Sequence, residues 1–152
     1  MPKKKKVLFV CVHNSARSQM AEAFLNSMAG DLFEAESAGL QPGKLNLLAV
    51  AVMKEIGIDI SGKQPRSIQQ VINSGKKFDV LISVCEEAEY CPVVPGIREQ
   101  IHWSFPDPSR FEGSLEERLN QTRKVRDQIQ AMVSKWVAEK RKQGENYGEE
   151  ML

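Results

Sequence analysis

A cysteine, an arginine and a serine stand close together near the start of the chain, in the run Cys11-Val12-His13-Asn14-Ser15-Ala16-Arg17-Ser18. Residues 7–10 are apolar and residues 18–29 carry an apolar stripe at helical spacing, so the run between them reads as a strand-to-helix turn. Such a turn directs successive backbone N–H groups inward, and with the positive end of the helix dipole it makes a nest for a tetrahedral oxyanion. Val12, His13, Asn14, Ser15, Ala16 and Arg17 are therefore the expected oxyanion-binding residues. The planar guanidinium of Arg17 can hold two anion oxygens at once, which a lysine cannot reproduce. The same positive surroundings favour the ionised, nucleophilic form of a cysteine at position 11. Ser18 can donate its hydroxyl to that sulfur, and Asn14 tolerates the positive φ that a tight loop demands.

Two further residues, Cys85 and Asp107, gain meaning from the elements that precede them. Residues 7–10 and 78–84 (FDVLISV) are short apolar runs rich in β-branched residues, the pattern of parallel strands covered on both faces. Residues 33–40 and 100–105 (QIHWSF) read as two more strands. Helices are predicted over 18–29, ended by Gly30 in the left-handed position, over 45–56, closed by Gly57, and after Ser67, whose SIQQ sequence matches a capping box. A longer helix opens at the Ser114-Leu-Glu-Glu capping box, with Leu119, Val125, Ile129, Met132, Val133 and Trp136 on one stripe. Alternating strands and helices imply an α/β fold with right-handed crossovers and a mostly parallel sheet, whose ligands sit beyond the carboxyl ends of the strands. Cys11, Cys85 and Asp107 each follow a strand, so all three should share one edge.

Composition narrows the remaining possibilities. The 152 residues suit one domain over 1–140, and residues 141–152 lack periodicity and are expected to fray. With 41% hydrophobic and 27% charged residues, and no apolar run near the roughly 20 that a membrane helix needs, the chain reads as soluble and free of membrane. Lysines 3–6 precede only five apolar residues, too few for a signal peptide, so a cytoplasmic protein with a solvated basic arm is expected. The near balance of 21 basic and 20 acidic residues gives no footprint for nucleic acid. Three cysteines argue against a secreted disulfide framework and for free thiols in a reducing compartment. Neither Cys11-x-His13 nor Cys85-x5-Cys91 has the usual spacing of zinc ligands, so no structural metal is expected, and His13 and His102 read as loop-positioning and strand residues.

The Cys-x5-Arg-Ser run resembles the signature of the low-molecular-weight tyrosine phosphatase superfamily, and Pro106-Asp107-Pro108 stands where that fold carries its general acid. The middle of the chain, from Val84-Cys85 to Cys91-Pro92 and then His102-Trp103-Ser-Phe-Pro-Asp107, is similar to the thioredoxin-coupled arsenate reductases built on this fold. The resemblance implies a three-layer sandwich around a central four-stranded parallel sheet. It also implies a relay: Cys11 attacks arsenate with Ser18, Arg17 and Asp107 assisting, Cys85 attacks the adduct and releases arsenite, and Cys91 resolves the resulting disulfide. The final Cys85–Cys91 disulfide would pass to an external dithiol such as thioredoxin or another redoxin, with no bound cofactor, and a monomer is expected. Six residues along an intact helix rise roughly 9 Å, beyond the ~7 Å Cα limit for a disulfide, so the segment 85–91 must be a loop or unwind. Glu86, Glu87 and Glu89 are expected to be exposed on it. The alternative reading is a phosphatase acting on phosphotyrosine proteins with Cys11, Arg17 and Asp107 alone, against which stands the lack of a tyrosine pair after Asp107. Reductases of this branch that bind potassium match here at Asn14, Glu22 and Ser37, but the fourth ligand falls on Arg66, which could itself supply the local cation.

Overall fold

The computed structural model describes residues 3–86 and 93–151, with side chains to residue 144. Four strands, β1 (Lys5–Cys11), β2 (Phe33–Gly39), β3 (Val80–Ser83) and β4 (Glu99–His102), form one sheet in the order β2-β1-β3-β4. Every pairing is parallel. The apolar run of β1 is buried on both faces because it lies centrally. Val7, Phe9 and Cys11 face one core, and Leu8 and Val10 face the other. On the first face pack α1 (Arg17–Ala29), α2 (Leu47–Lys54) and α4 (Leu115–Met151); the short α3 (Ile68–Asn73) covers the second through Ile68 and Val71. This is the expected three-layer α/β sandwich.

The stripe on α4 docks as its spacing requires, with Val125, Ile129, Val133, Trp136 and Val137 buried. Trp136 meets Phe33 at 4.9 Å and Trp103 edge-on at 6.3 Å between ring centroids, and such pairs add ~0.5–1.5 kcal/mol beyond their buried area. Arg123 hydrogen-bonds Glu55 and holds its carboxyl below the usual range, but the pair lies at the surface and guides the seating of α2 on α4 more than it stabilises it. The α3 capping box is complete, and Gly57 has the left-handed φ of 82° that its closing role needs.

Three local readings are corrected. Gly30 is right-handed (φ −62°, ψ −13°), because the chain turns directly from α1 toward β2 without a left-handed cap. The fourth strand ends at His102 rather than at Phe105, since Trp103 N–H makes the last bond to the Ser83 carbonyl and the chain then diverges toward Asp107. The backbone of α4 stays helical to Met151, where the sequence suggested a frayed segment from 141: residues 141–151 contain no proline, and extending an established helix adds one hydrogen bond for each residue fixed.

Candidate active site

Parallel strand order brings the C-terminal ends of β1, β3 and β4 side by side, and the sequence places Cys11, Cys85 and Asp107 at or just past those ends. Cys11 is free and 2% exposed. Its Sγ accepts the Asn14 backbone N–H at 3.1 Å and lies 2.9 Å from Ser18 Oγ. Asn14 Nδ2 donates to that same Ser18 oxygen at 2.8 Å, so the hydroxyl hydrogen of Ser18 is free to serve an ionised sulfur as its second donor. Two donors thus converge on Sγ, an arrangement that suits a thiolate.

The loop is shaped from outside. The carbonyls of Cys11, Val12, His13 and Ser15 accept from the amides of Leu40, Gln41, Gly43 and Asn46, so each is drawn toward residues 40–46. In a planar trans peptide the N–H points opposite to the C=O, so the amides of Val12, His13, Asn14 and Ala16 are turned away from residues 40–46, and that of Asn14 meets Sγ. His13 supports this as a loop-positioning residue, its Nδ1 donating to the Gln41 carbonyl at 3.0 Å. Asn14 adopts the expected positive φ of 54° and is fully buried. Its Oδ1 accepts from Gln19 Nε2 (3.1 Å) and from the Arg66 amide (2.9 Å), which together offset the strain of that backbone conformation.

Gly39, opposite Cys11 in the β1–β2 register, is a residue that sequence reasoning missed. A Cβ there would stand 2.8 Å from Asn14 N and from Val12 O. Gly39→Ala is expected to destabilise by ~1–3 kcal/mol and to weaken phosphate binding in the same step, because the loop itself must give way. Thermal melts and phosphate titration of the variant check this.

Arg17, 3% exposed, sends Nη1 to the Phe105 carbonyl at 3.2 Å and places Nη2 3.5 Å from Asp107 Oδ2. Asp107 is itself buried, and its Oδ1 accepts from the backbone N–H and the hydroxyl of Ser109, so one carboxylate oxygen is oriented by its own turn and the other by Arg17. Cys85 is fully buried, with Sγ 4.0 Å from the Val10 carbonyl oxygen, and it is disulfide-bonded. Cys91, Glu87 and Glu89 lie outside the described residues. Glu86 is half-buried rather than exposed: its Oε1 accepts the Asp107 backbone N–H at 2.7 Å. Nothing in its local sequence marks that role, which depends on β3 and β4 being neighbours.

The potassium set does not fit an ion here. Glu22 Oε1 accepts from Ser37 Oγ at 3.1 Å, and its Oε2 stands 3.0 Å from Lys63 Nζ, close enough for an ion pair but without hydrogen-bond geometry. Asn14 Oδ1 is already bonded twice. Arg66, the residue expected to supply a cation, instead binds Glu36 at 3.2 Å and the Ser37 carbonyl at 3.3 Å. A lysine ammonium therefore stands against the carboxylate that an ion would use. Among the described residues no cluster of His, Cys, Asp and Glu could hold a metal ion, and no helix is long and apolar enough to cross a membrane.

Comparison with known proteins places this geometry. An arsenate reductase of Halalkalibacterium halodurans is 42% identical over 127 residues, covering 83% of this chain and 90% of that relative. A solved arsenate reductase in the phosphate binding state superposes with a TM-score of 0.73 at 32% identity, covering 89% of this chain and 98% of the other. One in the oxidized state superposes with a TM-score of 0.72 at 33% identity, over the same shares. The model of the low molecular weight phosphotyrosine protein phosphatase family matches residues 6–146. With that match spanning the nucleophile loop, the Asp107 turn and most of α4, this chain belongs to the low molecular weight phosphotyrosine protein phosphatase family.

Proposed function

We propose that this protein reduces arsenate to arsenite through a three-thiol relay. The observation that carries the reading is the pairing of a free Cys11, held under two hydrogen-bond donors in an oxyanion cradle, with a buried, disulfide-bonded Cys85 beside the same strand end. The Cys11 thiolate attacks arsenic in an arsenate bound by the loop amides and Arg17, and Asp107 protonates the departing oxygen. The Cys85 thiolate then attacks Cys11 Sγ. The sulfur–arsenic electron pair stays on arsenic, which leaves as arsenite, and a Cys11–Cys85 disulfide forms. Attack of the Cys91 thiolate on Cys85 frees Cys11 and moves the disulfide to Cys85–Cys91. An external dithiol, thioredoxin or another redoxin, takes up that disulfide by exchange and becomes oxidised itself. A free Cys11 alongside an oxidised Cys85 is the arrangement this last state requires. The solved relative in the phosphate binding state supports a tetrahedral oxyanion as ligand, and the three cysteines support work in the reducing cytoplasm.

Mass spectrometry after exposing the fully reduced protein to arsenate without added reductant tests the reading. One arsenite per molecule and a single disulfide joining positions 85 and 91, with Cys11 free, is the expected outcome. A wild-type protein that forms neither arsenite nor a disulfide on exposure to arsenate, with robust aryl phosphate hydrolysis that survives loss of both later cysteines, would establish the hydrolase instead.

A further inference from the structure

Glu86 has no part in that relay, yet it joins two of its components. It is covalently next to Cys85, the buried sulfur at the end of β3, and its carboxylate takes the backbone N–H of Asp107, 21 positions along the chain. That bond is 2.7 Å long, within the range of a charge-assisted hydrogen bond. Asp107 is in turn 3.5 Å from Arg17, the cation of the oxyanion cradle. A continuous path therefore runs from the redox sulfur through one carboxylate to the general-acid turn and on to the guanidinium that grips the oxyanion. It also brings a second negative charge to the neighbourhood of a site whose ligand is an anion.

From this path we infer that Glu86 is a positioning residue that makes oxyanion affinity depend on the redox state of Cys85. The inference rests on the thiol relay proposed above. With Cys85 in a disulfide, the residue that follows it is held with its carboxylate against the Asp107 amide. Asp107 stays on Arg17, and the added charge opposes the entry of a fresh oxyanion. Two-electron reduction by an external dithiol, which leaves as its own disulfide, returns Cys85 to a thiol and removes the covalent constraint on its neighbour. Glu86 is then released and the cradle accepts its anion. The oxidised protein, which has no electrons to deliver, would thus not retain substrate while it waits for its reductant. A weaker grip in one state and a stronger one in the other require a differential contact, and the Glu86 carboxylate on the Asp107 amide is that contact.

Titration of the full-length protein with inorganic phosphate, in its fully reduced and its arsenate-oxidised forms, tests this without relying on turnover. In the wild type the reduced form should bind phosphate about tenfold more tightly. Glu86→Gln retains an acceptor oxygen for the Asp107 amide and removes the charge. It should tighten phosphate binding to the oxidised form several-fold and leave the reduced form within about twofold of wild type. Glu86→Ala, which loses both charge and acceptor, should bring the two forms within about twofold of each other. Equal phosphate affinity of the two wild-type forms, or a wild-type ratio preserved in both variants, would overturn the inference. Failure of the relay itself would register separately, as a wild-type protein that makes no arsenite and forms no disulfide on exposure to arsenate.

Discussion

Cys91→Ser protein is expected to yield at most one arsenite per molecule and then stop, whereas the wild type with excess dithiol turns over continuously. Without a sulfur at position 91 the Cys11–Cys85 disulfide has no internal resolving thiol, so the nucleophile stays trapped. Exchange needs a thiolate that can reach the sulfur under attack, and Cys85 is fully buried, so an external thiol is a poor substitute for an internal one. The checking measurement is a time course of arsenite with the protein at micromolar concentration, read as a burst of unit stoichiometry followed by a flat line. Mass spectrometry of the stalled protein should find Cys11 joined to Cys85. Wild-type steady-state rates from this variant would eliminate the relay. Cys85→Ser should stall one step earlier, with no arsenite released and an arsenic adduct on Cys11.

Arg17→Lys should lower kcat/KM for arsenate by ~10²–10³-fold, the range seen when one preorganised donor to a developing oxyanion is lost. The substitution preserves charge but not geometry. Arg17 serves the Phe105 carbonyl with one terminal nitrogen and Asp107 with the other, and only a planar fork can do this while facing an anion. A lysine has one nitrogen and must abandon at least one of these partners in a site only 3% exposed. A buried acceptor left without a donor costs ~1–3 kcal/mol, so a drop of a few degrees in the melting temperature should accompany the loss of activity. Initial rates and phosphate titration of the reduced variant check the prediction. A change below tenfold in both would mean that Arg17 does not grip the oxyanion.

The parts of this protein that could be read from residues alone are those that local physics decides. An apolar β-branched run followed by Cys11, Asn14, Arg17 and Ser18 specifies a strand, a tight turn and a helix start within a dozen residues. The structure places Cys11, Asn14 and Ser18 in hydrogen-bond contact, in a short segment with few open conformations whose carbonyls are held by residues 40–46. The same holds for the Ser67–Gln70 capping box and for the buried stripe on α4, which depend on spacings of three and four residues. Helix ends were less legible: Gly30 kept its right-handed turn, and the backbone of α4 ran on to Met151.

What only the tertiary structure decided are the contacts between segments distant in sequence. Gly39 against Val12 and Asn14, Glu86 on the Asp107 amide, and Lys63 rather than Arg66 facing Glu22 all depend on strand order and loop path. No periodicity encodes such pairs, since each residue looks ordinary among its neighbours and acquires its role from the element laid beside it. Local spacing thus placed Cys11 at the mouth of a tight strand-to-helix loop. The parallel order β2-β1-β3-β4 determined which carboxylate, ammonium and amide would surround that loop, because burial brings together at one sheet edge groups that the unfolded chain keeps far apart.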